Sequence, residues 1–327
     1  MKRREFIKLL GSAVAAWPLA VHGQTPRHAR IGYLSGGKSS AQVTDTLDLL
    51  KESLRELGWR IGDNLVFDER WADGESAKMP RFAEELVARQ PDVLVCTGPT
   101  ETKSLQAATR SIPIVFLQVP IDPVSIGLVE SIKRPGGNIT GFMAGPQILW
   151  GKRIGLLTEL LGRPPRRLAW VGNPGNLASS ANWADANDAA AKIGSELVRA
   201  DVSTAADLDR IFAGLKDRDA LLVQWDFLFS VERSRVAALA AEYRLPAIYE
   251  NRSQALAGGL VSYGGDLREN YRQAALYIHR ILHGARAGDL PVVQASRFEL
   301  VLNLKTAKAL GLTVPTSMLL LADEVIE

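Results

Sequence analysis

The sequence predicts an α/β fold: two doubly wound parallel-sheet lobes joined by a hinge, with a ligand cleft between them. Three observations carry this expectation. Short apolar runs alternate with amphipathic helical stretches along nearly the whole chain, the pattern of parallel sheets with helices on both faces. A turn cluster, Arg134-Pro-Gly-Gly-Asn138, interrupts the series, and a second series begins beyond it. Small polar residues recur just after the apolar runs, at the strand edge where open α/β sheets hold small ligands. At 327 residues the chain has room for two domains.

Taken in order, Ala29-Arg-Ile-Gly-Tyr-Leu-Ser35 reads as a buried first strand, followed by a Gly/Ser loop. A helix is expected from about Gln42, because Val43, Leu47, Leu50, Leu54 and Leu57 fall on one helical face and Gly58 supplies the stop. Residues 64–71 alternate as a strand, and 77–89 read as a helix burying Phe82, Leu86 and Val87. Two apolar strands follow, within 91–96 and 112–119, with a helix between them and Asp122 in the turn after the second. A short strand at 139–142 ends the first series.

The second series reads as helix 148–161, strand 167–172, helix 179–193, strand 196–202, helix 205–215 and strand 219–223. Helix 231–243, strands 246–249 and 259–263, and a long helix 266–284 with Tyr271, Ala274, Ala275, Ile278 and Leu282 inward come next. Strand 298–303, helix 304–310 and the segment 315–326 close the chain. The resulting division is an export signal at 1–23, one lobe from 24–143 and 262–292, and a second from 144–261 and 293–327.

The first residues carry the charge asymmetry. Lys2, Arg3, Arg4 and Lys8 against Glu5 account for the whole formal excess of +3, so the remainder is balanced. A pI near 9.0 is therefore no sign of a nucleic-acid partner. The apolar run from Leu9 to Val21 is too short to span a bilayer, and Val21-His-Gly23 offers a cleavage site. The Arg-Arg-x-Phe-Ile-Lys pattern resembles a twin-arginine export signal. The expected location is the periplasm, by the twin-arginine or the general secretory route. Cys96 is the one cysteine, so no intramolecular disulfide forms, and its place in an apolar run marks a buried hydrophobe.

Enzyme chemistry finds little footing. The chain has no Gly-x-Ser-x-Gly elbow, no Walker phosphate loop and no Gly-x-Gly-x-x-Gly after the first strand. His279 and His283 stand one helical turn apart without a third ligand nearby, and read as cations at a helix end rather than a metal pair. No catalytic residue, metal or cofactor is expected. What remains is a ring of candidate ligand-binding residues at strand ends. Ser35 and Gly36 follow the first strand, and Thr97, Gly98 and Thr100 open a helix. That helix N-terminus favours a carboxylate, with the threonines doubling as caps. Asp122 and Asp226 stand at equivalent turns, able to hold an ammonium or simply to form the turn. Asn173 follows a strand of the second series. Trp225 and Phe227 flank Asp226, and Trp183 begins a helix in the same series; such aromatics stack on apolar ligand parts or simply pack.

These residues carry a resemblance. Ile31-Gly-Tyr-Leu-Ser35, Asp122-Pro-Val124, Arg134-Pro-Gly-Gly-Asn-Ile-Thr-Gly141, Gly259-Leu-Val-Ser-Tyr-Gly264 and Asn303-Leu-Lys-Thr-Ala-Lys308 resemble the periplasmic substrate-binding proteins of ABC transporters, in the tryptophan-binding-protein-like group. The resemblance covers nearly the whole chain after the signal. It implies the type I periplasmic binding protein fold and a non-enzymatic, monomeric receptor that closes on a small solute. It also implies delivery to a membrane permease whose partner ATPase supplies the work. By position it adds Tyr263 to the cleft. The chain departs from the group at Thr97-Gly-Pro-Thr-Glu101, where alanines commonly follow the proline, and at Gln224-Trp-Asp-Phe227, where Pro-Asp-Pro is common. Glu101 places a negative charge beside the expected carboxylate cradle, so the solute is read only as amino-acid-like or carboxylated. Two alternatives stay open: a periplasmic ligand sensor for a signalling receptor, and an exported α/β enzyme.

Overall fold

A computed structural model describes residues 28–38, 45–145, 149–295 and 297–327. The expected signal, Val43 and the first residue of the helix expected from 148 lie outside them. In the first lobe, β1 (Ala29–Ser35), α1 (Asp45–Glu56), β2 (Leu65–Trp71), α2 (Met79–Ala88) and β3 (Val93–Cys96) follow one another. Then come α3 (Pro99–Ala108), β4 (Ile114–Val119) and β5 (Ile139–Met143). The second lobe runs through α4 (Trp150–Leu161), β6 (Arg167–Gly172), α5 (Ser179–Lys192), β7 (Glu196–Asp201), α6 (Leu208–Ala213) and β8 (Ala220–Val223). It continues with α7 (Phe227–Val231), α8 (Arg233–Glu242), β9 (Ala247–Tyr249), α9 (Arg252–Leu256) and β10 (Val261–Gly265). The chain ends with α10 (Leu267–Leu282), β11 (Val293–Gln294), β12 (Phe298–Asn303), α11 (Leu304–Ala309), α12 (Thr316–Leu321) and β13 (Glu324–Ile326).

The strands form two sheets, ordered β11-β5-β4-β3-β1-β2 and β13-β12-β10-β9-β8-β6-β7. Among the described residues every strand pairing is parallel except β10 with β12. That exception follows from connectivity. The chain enters the first lobe after Gly265 and returns at Phe298, which pairs directly with Gly265, so β12 must run back the other way. The chain therefore crosses between sheets three times, at 143–150, 265–267 and 294–298. The crossings bond to one another: Ala295 N–H donates to Met143 O (3.2 Å) and Asp266 N–H to Arg297 O (3.0 Å).

The expected segment boundaries shift at the C-terminal returns. Residues 262–265, assigned in sequence to the first lobe, complete β10 and pair in the second sheet. Val293 and Gln294, assigned to the second lobe, pair with β5 in the first. The cause is that each crossing lies at the carboxyl end of a strand, after its last paired residue. The segment 315–326 also splits, into α12 and the strand β13, which pairs with β12.

Each sheet buries its helices against both faces. Leu47, Leu50 and Leu54 of α1 and Tyr271, Ala274, Ala275, Ile278 and Leu282 of α10 pack together on one face of the first sheet, as their spacing requires. Leu86 and Leu105 cover the other face, while Phe82 and Val87, expected to be buried, are only partly so. Gly141, the last residue of the Arg-Pro-Gly-Gly-Asn-Ile-Thr-Gly run, has a reason to be glycine. A Cβ there would lie 2.1 Å from the Phe116 carbonyl oxygen, at φ +154°.

Candidate functional site

The carboxyl ends of both sets of parallel strands face a cleft of about 480 Å³ between the lobes, within the range usual for small-molecule sites. The first lobe's wall is a chain of hydroxyls and rings. Thr97 Oγ1 donates to Ser35 Oγ (3.2 Å), and Gly37 N–H donates to the same oxygen (3.1 Å). Tyr33 hydrogen-bonds with Ser35 and Tyr271, and Tyr271 Oη accepts from Gln118 Nε2 (2.5 Å). Trp71 stands beside Tyr33, with ring centroids 5.3 Å apart. The second lobe contributes Trp225 and Phe227, set edge to face at 4.8 Å. Three helices start at or beside this cleft with their own side-chain caps: Asp226 accepts from Leu228 N–H, Asn251 from Ser253 N–H and Asp266 from Arg268 N–H.

The residues expected from sequence divide into three groups. Ser35, Thr97 and Trp225 line the main cleft. Gly36, Thr100, Asn173 and Asp226 line a separate pocket of about 30 Å³ on the far side of Phe227, together with Glu101. Gly98 underlies that same ring: a Cβ on it would come within 3.4 Å of Phe227. Asp122 and Tyr263 line neither. The Asp122 carboxylate accepts from Val124 N–H (3.0 Å) and so forms its turn. Tyr263 stacks on Phe298 at 6.1 Å, and its carbonyl accepts from Arg153. Trp183 packs in the second lobe's core against Trp170 rather than at the cleft.

The expected threonine caps of α3 do not form. Its N-cap is Gly98, without a side-chain bond. Glu101, in the first turn, folds its own carboxylate back over the helix N-terminus and accepts from Gly36 N–H (2.9 Å). The position that favours an anion is thus filled by the chain itself. Burial pushes the Glu101 carboxyl up to about 7, and the nearby charge of Asp226 adds to this. Burial also raises Asp226, although Asn173 Nδ2 (3.0 Å), Asn176 Nδ2 (2.8 Å) and Leu228 N–H all donate to it and oppose the rise. These bonds all lie within the second lobe. Phe227 then bridges the lobes: its ring sits where a Cβ on Gly36 would be, 2.3 Å from Cδ2.

Arg153 and Glu250 at the inner end of the cleft escape a sequence reading of strand-end motifs. Yet Arg153 shares one helical stripe with Trp150, Leu157 and Leu160, all buried, and a cation on an apolar stripe is a legible signal. Among the described residues no group of three or more His, Cys, Asp or Glu is placed to hold a metal, and no helix is long and apolar enough to cross a membrane.

Residues 40–326 match the family model for ABC transporter substrate binding proteins. A tyrosine-binding protein of Clostridioides difficile is 27% identical over 263 residues, covering 80% of this chain and 75% of its own. A conserved domain protein of Vibrio cholerae superposes with a TM-score of 0.85 at 28% identity, covering 91% of this chain and all of its own. A Streptococcus pneumoniae ABC domain solved in complex with L-Trp superposes at 0.82 with 24% identity over the same shares, a likeness of fold.

Proposed function

The chain belongs to the family of ABC transporter substrate-binding proteins, and from that premise we propose that it is an extracytoplasmic receptor for a small amino-acid-like or carboxylated solute. The observation that carries this reading is the cleft between two α/β lobes, walled by hydroxyls on one side and aromatic rings on both. The tyrosine-binding and L-Trp-bound relatives support an aromatic amino acid as the first candidate. Solute entering the open cleft would be enclosed as the lobes rotate about the three crossings, a hinge motion. Phe227 seating against Gly36 and Gly98 is the contact that closure makes. The closed, monomeric receptor would then dock on a permease and its ATPase, which do the transport work. The charged, apolar N-terminal segment supports export to the periplasm.

Screening the purified protein by thermal shift against L-amino acids, small carboxylic acids and sugars tests the reading. A ligand at a hundred times its Kd should stabilise the fold by about 2.7 kcal/mol, with Tm rising as its concentration rises. Small-angle scattering should show the radius of gyration fall on saturation. A hit confined to neutral sugars would overturn the amino-acid reading.

A further inference from the structure

We propose that the inner end of the cleft is a head-group subsite for a zwitterion, in which Arg153 takes a ligand carboxylate and Glu250 takes its ammonium. The assignment rests on the receptor reading above and says how the solute lies.

A recess of about 40 Å³ opens off the main cleft beneath Trp225, and Gln118, Asn251 and Gly265 line both spaces. A water needs about 10–15 Å³ on this measure, so the recess suits a few heavy atoms rather than a ring. Arg153 is 3% exposed, with its guanidinium 4.5 Å over the Trp150 ring. Nε donates to Tyr263 O (2.9 Å), and Nη2 lies 3.2 Å from Glu250 Oε2. Asp185, whose Oδ2 accepts from Trp150 N–H (3.4 Å), is a second acid near the guanidinium. Glu250 Oε1 accepts from Trp225 N–H (2.8 Å), which ties the acid to the aromatic that covers the recess.

Two amides complete the set. Asn182 Oδ1 accepts from Trp150 Nε1 (3.3 Å), leaving its N–H group as a donor in the recess. Gln118 Nε2 donates to Tyr271, leaving its oxygen as an acceptor. The recess therefore offers donors from Arg153 and Asn182 and acceptors from Glu250 and Gln118. Carboxylate and ammonium on one carbon match that set in charge and in hydrogen-bond sense. The alternative cradle at the α3 N-terminus already holds Glu101. With the head group in the recess, the solute's side chain lies along the wide cleft between Trp225 and Phe227 and the rings of Tyr33 and Trp71.

Arg153 answers Glu250 directly and Asp185 from further off, so its one positive charge is already matched. A zwitterion adds one charge of each sign in alternation and keeps the balance; an acid or an amine alone does not. Selectivity for the complete head group follows, and it is the readout. Calorimetric titration would use the best-binding L-amino acid with its des-amino acid and its decarboxylated amine; for L-tryptophan these are indole-3-propionate and tryptamine. The wild-type protein should prefer the amino acid about a hundredfold over each. Glu250→Gln should cut the preference over the des-amino acid below about tenfold, and Arg153→Lys should weaken the preference over the amine. Equal binding of amino acid and des-amino acid by the wild-type protein overturns the assignment without any variant. So does wild-type selectivity in both variants, the mark of a pair that only braces β9 against α4. Tight binding of a neutral sugar overturns the subsite and leaves a receptor. Absence of binding by any solute overturns the receptor reading, and the subsite with it.

Discussion

Replacing Gly36 with alanine should cost at least tenfold in solute affinity while leaving the ligand-free protein close to wild-type stability. The new Cβ would lie 2.3 Å from Phe227 Cδ2 and 2.6 Å from Cγ, where carbon atoms in contact rest at about 3.5–4.0 Å. Phe227 belongs to the second lobe and Gly36 to the first, so the clash is relieved by separating the lobes rather than by repacking a core. The third close atom, Glu101 Oε1 at 2.8 Å, ends a side chain and can swing aside. Tenfold in affinity is about 1.4 kcal/mol of closure energy. Titration calorimetry measures the affinity and thermal unfolding the stability. An affinity equal to wild type would mean that the ring does not seat on Gly36 in the bound state. A large fall in ligand-free Tm would mean that the change damages the first lobe itself.

Stability of the wild-type protein should fall as pH rises from about 4.5 to about 7, and Glu101→Gln should flatten that decline. The sign follows from linkage. Burial raises the folded-state value of Glu101 to about 7 from an ordinary 4.5. The folded protein therefore binds the extra proton across that window, and the contribution is full below about 4.5 and lost as pH rises through about 7. A displacement of that size corresponds to roughly 3 kcal/mol. Asp226, raised by burial as well, acts in the same direction. Opening the cleft would rehydrate both carboxyls, so acid should also favour the closed arrangement and tighten solute binding. Thermal melts of the two proteins between pH 5 and 8.5 provide the check. Parallel pH profiles would show that Glu101 stays charged and solvated.

The reasons for what the sequence revealed are visible in single residues. The α10 positions Tyr271, Ala274, Ala275, Ile278 and Leu282 are all buried, because helical periodicity reports one buried face directly. Cys96 is buried as well, with its thiol pushed up by desolvation. Strand ends were legible too, since Ser35, Thr97 and Trp225 line the cleft as their places after apolar runs implied. Side-chain direction was not. Asp226 lines the small pocket behind Phe227 rather than the main cleft, its carboxylate held by two amides and a helix N–H of its own lobe. Glu101 was visible as an added charge, but only the loop at Gly36 shows that its carboxylate takes the helix end. Arg153 and Glu250 are 97 residues apart in the chain, so no local motif joins them. Their meeting depends on α4 packing across the end of β9. The boundary shifts at β10 and β11 have a similar origin, because a two-residue strand such as Val293–Gln294 has no period to read.

The central claim is that the space between the lobes is a solute site. Calorimetric titration of the purified protein with the twenty L-amino acids tests it most directly. The account predicts saturable binding of at least one amino acid at a single site per chain. Trp225→Ala should abolish that binding while the protein stays folded. Failure of every amino acid to bind a folded protein, or binding that survives loss of Trp225 unchanged, would contradict it.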